Sequence, residues 1–348
     1  MSAILEPPSP PPTATADPLP RGQPAEIKRS GGRSEPLPIF LARIALPVIL
    51  VVLLITFSVL KPNTFPTVNN IRTVLNLQAV LGILALGLML PLIVGELDLS
   101  IAQNLGLGLI LTTGLCSQQG LPLVVAIVIA ISVCTAVGLI NGLLVTRLQI
   151  NSLITTLGMS TILAGVIGAY TGGNVFYENI PAELIQIGKG RLWEIPLPVV
   201  YALVLAVVMW YVLSSTPIGR YLYAIGGNPD AARLSGVPVR RLTVAAFAGA
   251  GLFAGIGGVV QASILGSGNP TVGPPLLLPA FAAAYLGATA IIPGVFNVWG
   301  MIIAVITVQV GVTGLAQMGA EFWVEPIFTG LALLVAVAAA RFLRGEKL

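Results

Sequence analysis

Histidine is absent from this chain, and charged residues make up only 9% of it. The first absence removes the commonest general base, proton relay and neutral metal ligand at once. The second excludes an ordinary soluble domain, in which about a quarter of residues are charged. Cysteine is nearly missing too. Cys116 and Cys134 both fall inside apolar runs, so they read as small buried hydrophobes and not as a disulfide or a metal site. No GxxxxGK[ST] string occurs, and the nearest, GKG at Gly188–Gly190, lacks the hydroxyl residue after its lysine. With no phosphate cradle visible, the chain is not read as an enzyme and is expected to hold no cofactor. Any ATP would have to be hydrolysed by a partner.

What the sequence does have is apolar length. Hydrophobic residues are 56% of the chain and the mean hydropathy is +0.96. The runs approach 20 residues, as spanning helices require. The expected fold is an all-α integral membrane protein with about ten transmembrane helices, some of them broken, and a short helix exposed to the cytoplasm. The spans are placed at 39–60, 71–94, 98–116, 121–146, 152–171, 197–214, 239–264, 275–293, 295–317 and 323–343. Breaks are expected at Pro91, at Pro122 and in the crowded 270–279 stretch. Residues 1–38 are Pro-rich with no apolar segment, unlike a signal peptide. They form an expected disordered cytoplasmic tail, and 39–348 the membrane domain. With the N-terminus inside, thirteen of the seventeen basic residues fall on the cytoplasmic side, which fits the positive-inside rule and puts both termini there. The largest outer loop, 172–196, has room for a short amphipathic segment. Trp193, Trp210, Tyr211 and Trp323 sit near span ends, as interfacial anchors do.

Between two of these runs lies a polar island, Tyr221–Arg241, within the segment 216–240. Asn228 suits an N-cap, Pro229 the first helical position and Asp230 the first turn. Gly236 suits a left-handed end, and Pro238 bars continuation. A two-turn helix is marginal in water. On the residues alone, a docked partner and a well-capped loop are equal readings. Ala231, Ala232 and Leu234 would supply the apolar contact and Asp230 and Arg233 its polar rim, with Ser235 in the same segment. On that reading Ala232→Glu would spare insertion and uncouple the partner. Glu96, Asp98 and Ser100 stand where the second and third spans meet, to cap a helix or to line a gate. Asn141, Thr155 and Thr156 are polar residues inside spans, suited to a mildly polar solute pathway or to helix–helix hydrogen bonds. Gly251 and Gly255 form a GxxxG pair, read as packing within the bundle in preference to a dimer seam.

Four segments carry a resemblance: GELDLS (Gly95–Ser100), GLINGLLVTRLQINSLITTLGM (Gly138–Met159), TPIGRYLYAIGGNPDAARLSGVPV (Thr216–Val239) and LGSGNPTVG (Leu265–Gly273). Together they resemble the permease subunit of ribose-type ABC importers, in the superfamily that also holds branched-chain amino-acid permeases. The resemblance implies a ten-helix membrane domain of a bacterial inner membrane and pairing with a second copy. It also implies cytoplasmic ABC ATPase subunits, an extracytoplasmic solute-binding protein and a small polar substrate, with no nucleic acid. It matches Asn228–Gly236 to the coupling helix that seats in the ATPase. The chain departs from the family pattern at Glu96, at Asn151 and Ser152, and in the turn Gly287–Gly294. The expected function is therefore ATP-driven import of a monosaccharide by alternating access. An ion-coupled secondary transporter, a permease for a branched-chain amino acid or nucleoside, and a lipid-linked transferase are the competing readings.

Overall fold

A backbone in lipid has no water to bond, and a helix satisfies it within one segment. The apolar runs take that solution. The computed structural model describes residues 37–343, with side chains from Arg43 to Ala340. The expected tail over 1–38 lies outside the described residues except for its last two, which begin a helix.

The chain forms α1 (Leu37–Leu60), α2 (Val68–Ile93), α3 (Ile101–Ser117), α4 (Leu123–Arg147) and α5 (Ser152–Thr171). After α5 come α6 (Ala182–Lys189) and a hairpin of β1 (Arg191–Leu192) and β2 (Ile195–Pro196). They are followed by α7 (Leu197–Ser215), α8 (Pro217–Gly227), α9 (Pro229–Leu234) and α10 (Val239–Leu265). A 3-10 turn at Pro274–Leu276 leads into α11 (Leu277–Gly287), then α12 (Val298–Gln317) and α13 (Val324–Leu343).

Seven of the described helices are long and apolar enough to cross a membrane, and three shorter apolar ones complete the expected ten. Two of the shorter ones, α3 and α11, mark where the expected spans were too generous, whereas α13 runs to Leu343 as expected. The third begins at Ile101 and not at residue 98, because Asp98 and Ser100 bond each other ahead of the helix. At 17 residues, α3 reaches about 25 Å, short of a hydrocarbon core near 30 Å. The eighth ends at Gly287, and a bonded turn replaces its last residues. Pro91 does not break α2: it lies in the last turn, two residues before the helix ends at Ile93. Pro122 sits between helices, at the N-cap of α4.

The centre is built on α10, which packs most extensively against α4, α3 and α2. The main apolar cluster joins α2 to α10 and α11, with Leu84, Met89, Ala250, Phe253 and Ala284 among its buried members. Val48, Val52 and Ile55 of α1 and Val204 and Val208 of α7 are exposed, which is how a lipid-facing surface looks. The GxxxG pair packs inside the bundle: a side chain on Gly251 would overlap the carbonyl of Cys134, and one on Gly255 would meet Ile131. These contacts bring α10 against α4, the close approach for which small residues are suited.

The two ends of the bundle differ. At one end, Gln317 of α12 bonds Thr64 and Asn70 beside the start of α2, and Arg72 pairs with Glu194 of the hairpin turn. At the other end lie α8 and α9.

Candidate functional site

The polar island folds as two helices, α8 and α9, where one was expected. Asn228 closes α8 and caps α9: its Oδ1 accepts from the N–H groups of Asp230 (3.1 Å) and Ala231 (2.9 Å). Pro229 occupies the first turn. Gly236 takes the left-handed conformation at φ +83°, and the N–H groups of Gly236 and Val237 bond back to Arg233 and Ala232. The capping chemistry is thus as the residue types dictate. Asp230 and Arg233 lie 3.7 Å apart on the exposed side.

The face presented outward is the expected one except at Ala232. Ala232 is 5% exposed and joins the main apolar cluster of this chain, whereas Leu234 is 90% exposed. Ala231 is exposed as well. A six-residue helix has too few turns for its sequence to declare a buried face; the packing against α8 and α10 chooses it. Ala232→Glu would therefore place a carboxylate inside the permease's own packing, and it does not test a partner contact.

Three segments meet at this end. Gly226 of α8 lies against the carbonyl of Ile93 at the end of α2, so closely that a side chain there would overlap it. The Tyr223 hydroxyl of α8 donates to the carbonyl of Phe296 at 2.7 Å. Burial pushes this phenol up to about 12, so it stays a donor. Phe296 belongs to the turn after α11, which Asn297 organises. The Asn297 Nδ2 donates to the carbonyls of Gly287, Ala290 and Val295, at 3.2, 3.0 and 3.0 Å. Its Oδ1 accepts from Gly300 at 2.7 Å and so caps α12. Neither Tyr223 nor Asn297 was among the expected site residues. An Asn directly before an apolar run was a visible cap signal; the reach of Tyr223 across 73 positions was not.

The loop Val94–Ser100 gathers residues expected in two separate roles. The Asp98 carboxylate, 2% exposed, accepts from the N–H of Ser100 at 2.9 Å and from its hydroxyl at 2.6 Å. Burial raises Asp98 to about 6, against the lowering effect of those bonds. Ser100 also accepts from Asn141 Nδ2 of α4 at 2.8 Å. From α5, Ser152 accepts from the N–H of Leu97 and Thr156 accepts from that of Leu99, at 3.3 and 3.0 Å. Glu96 is half-buried on the same loop. The structure therefore joins Asp98, Ser100 and Asn141 by side-chain hydrogen bonds, while Thr156 holds the same loop by its backbone. Thr155 is buried beside them in sequence, yet its hydroxyl has no protein partner, and the same holds for the Oδ1 of Asn141. Buried acceptors of this kind are the places ordered water serves.

The model of the family described as branched-chain amino acid transport system / permease component matches residues 70–337. The chain is 32% identical to the ribose import permease protein of Haemophilus influenzae over 304 residues, covering 86% of this chain and 93% of the relative. It is 32% identical to that of Bacillus subtilis over 293 residues, covering 84% and 90%. The galactose/methyl galactoside import permease protein of Haemophilus influenzae is 31% identical over 309 residues, covering 82% and 91%. No solved structure matches.

Proposed function

The chain belongs to the family of permease components of branched-chain amino acid transport systems, and on that premise we propose that it is the membrane subunit of an ATP-driven importer of a monosaccharide. The relatives named for ribose and galactose import support the sugar. One observation carries the mechanism: a rigidly capped helix, α9, holds a large apolar side chain, Leu234, 90% exposed beside a polar pair. The segment Asn228–Gly236 seats in a cytoplasmic ABC ATPase, and Leu234 and Ala231 are its apolar contact. ATP and Mg2+ bind in that partner.

The mechanical route follows from what α8 touches. Closure of the ATPases moves α9; α8 passes the displacement to the end of α2 at Ile93 and to the turn at Phe296. A rigid path of this kind biases the bundle only if the partner prefers one conformer. Asp98 and Ser100 form a buried clamp on the loop after α2, with Glu96 half-buried beside them. Asn141 and Thr156 position that clamp, and Thr155 adds an unpartnered hydroxyl near it. Two copies of the chain pair, and a solute-binding protein delivers the sugar at the far end. The α9 end faces the cytoplasm of an inner membrane, with both termini there. Arg147, Arg220, Arg240 and Arg241 at that end support this orientation.

The test is uptake by proteoliposomes holding the chain with its ATPase and solute-binding protein. Uptake that requires ATP hydrolysis is expected. Uptake that survives ATP depletion and collapses with an ion gradient would overturn the importer reading in favour of a secondary transporter.

A further inference from the structure

The cleft at the far ends of α3 and α5 has a shape and chemistry that no assigned role accounts for. It encloses about 590 Å3, inside the range of small-molecule sites. Gln118 follows α3, Tyr170 lies in the last turn of α5, and Asn174, Phe176, Tyr177 and Glu178 come from the loop beyond. We infer that this cleft is a weak binding site for the uncharged ring of a monosaccharide, and the first part of the chain to receive it. The inference rests on the importer reading and adds to it a site and a ligand class.

The cleft is pre-shaped. Phe176 and Gly268 exchange backbone hydrogen bonds of 3.0 and 2.7 Å, which tie the loop to the segment after α10. The Tyr170 ring stands edge-on to Phe176 at 5.8 Å and 88°. Its hydroxyl donates to Gln119 Oε1 at 2.8 Å. Gly114 leaves the space this ring occupies, since a side chain there would come within 2.5 Å of it. The wall is thus fixed by four independent contacts, while Tyr177 projects 71% exposed at the rim.

The chemistry selects a neutral polyol. The lining offers amides at Gln118, Gln119 and Asn174, a carboxylate at Glu178 and aromatic rings, and includes no Lys or Arg. Both α3 and α5 end here, so two helix C-termini turn their negative ends toward the cleft. Sugar hydroxyls donate to such acceptors, and the C–H faces of a sugar ring pack on aromatic side chains whose polar edges stay wet. An amino-acid carboxylate or a phosphate would need a cation or a helix N-terminus, and meets here a carboxylate and two helix C-termini. The openness of the cleft suits a solute that must leave again. On the exposed side of α5, side chains on Gly158, Gly165 and Gly168 would meet nothing within 4 Å.

The experiment uses the intact importer in proteoliposomes, with radiolabelled ribose and galactose as probes. Gln118→Ala, Asn174→Ala and Glu178→Gln are made singly and together, with Tyr177→Ala and Tyr177→Phe. Stimulation of ATP hydrolysis by the loaded solute-binding protein is measured alongside uptake. Each lost hydrogen-bond partner is expected to lower initial uptake about fivefold, with ATPase stimulation unchanged and Tyr177→Phe restoring what Tyr177→Ala loses. Unchanged uptake in the triple variant overturns the site. So does a parallel loss of ATPase stimulation, which would make the cleft a docking surface for the binding protein. Should the triple variant fail to insert, Glu178→Gln alone decides, because Glu178 is exposed and its exchange is isosteric. Wild-type protein that moves another solute class overturns the sugar reading and the site with it. Wild-type sugar uptake with indifferent variants overturns only the site.

Discussion

Leu234→Ala separates a partner contact from a folding contact. The side chain is 90% exposed, so its loss removes almost nothing from the packing of this chain. If the ATPase covers it, the substitution withdraws three methyl-sized groups from a buried interface. At about 0.8 kcal/mol each, the loss is about 2.4 kcal/mol. That corresponds to roughly fiftyfold weaker binding of the ATPase. The neighbour two positions earlier behaves oppositely. Ala232, 5% exposed within the main apolar cluster, has no room for a carboxylate, and Ala232→Glu should lower permease stability by several kcal/mol. The assay pairs thermal unfolding of the detergent-solubilised permease with an ATPase-binding titration. Leu234→Ala is expected to unfold as wild type does and to bind about fiftyfold more weakly. Binding that matches wild type would refute the reasoning, because no ATPase could then be seated on α9 through this residue.

Other expectations follow from the same end of the bundle. Asp98 is raised from 3.8 to about 6 in the fold. Between those values the folded state keeps a proton that the unfolded chain releases, so stability falls as pH rises through the window. Asp98→Asn should therefore gain up to about 3 kcal/mol at pH 7 and nothing below about pH 4, read by thermal unfolding at the two pH values. Gly226→Ala would push α8 off the carbonyl of Ile93; a stability loss of about 1–3 kcal/mol and loss of ATP-driven uptake are expected. Asn297→Ala should destabilise by about 4 kcal/mol through the loosened turn, at about 1 kcal/mol for each bond lost. Asn297→Asp should keep the cap on Gly300 and lose the donated bonds, and an intermediate melting temperature would confirm the division.

The spans were legible because transfer of about 20 apolar residues into lipid outweighs other preferences, and the periodic details hardly matter. Their ends were less so. Asp98 could be read as the first residue of α3, and only the pairing of its carboxylate with Ser100 places it ahead of the helix. The cap of α9 was legible because Asn228 and Gly236 act on backbone groups two to three residues away. The same locality explains why Pro91 misled: a proline breaks a helix only where helix would otherwise continue, and α2 was already ending. Asn141 and Thr156 were legible as polar residues inside spans, and their polar partners were not, since those lie 41 and 57 positions away.

Local chemistry alone determined that this chain lives in lipid, that its apolar helices number about ten among the thirteen described, that Arg147, Arg220, Arg240 and Arg241 share one end and that a capped helix stands there. Each of these depends on residues within a turn or two of one another, or on summed transfer energies. The tertiary structure decided which face of α9 turns to water, which loop clasps Asp98, and how α8 reaches both Ile93 and Phe296. Those contacts join residues far apart in the chain, and close packing, not propensity, selects among the arrangements the sequence permits.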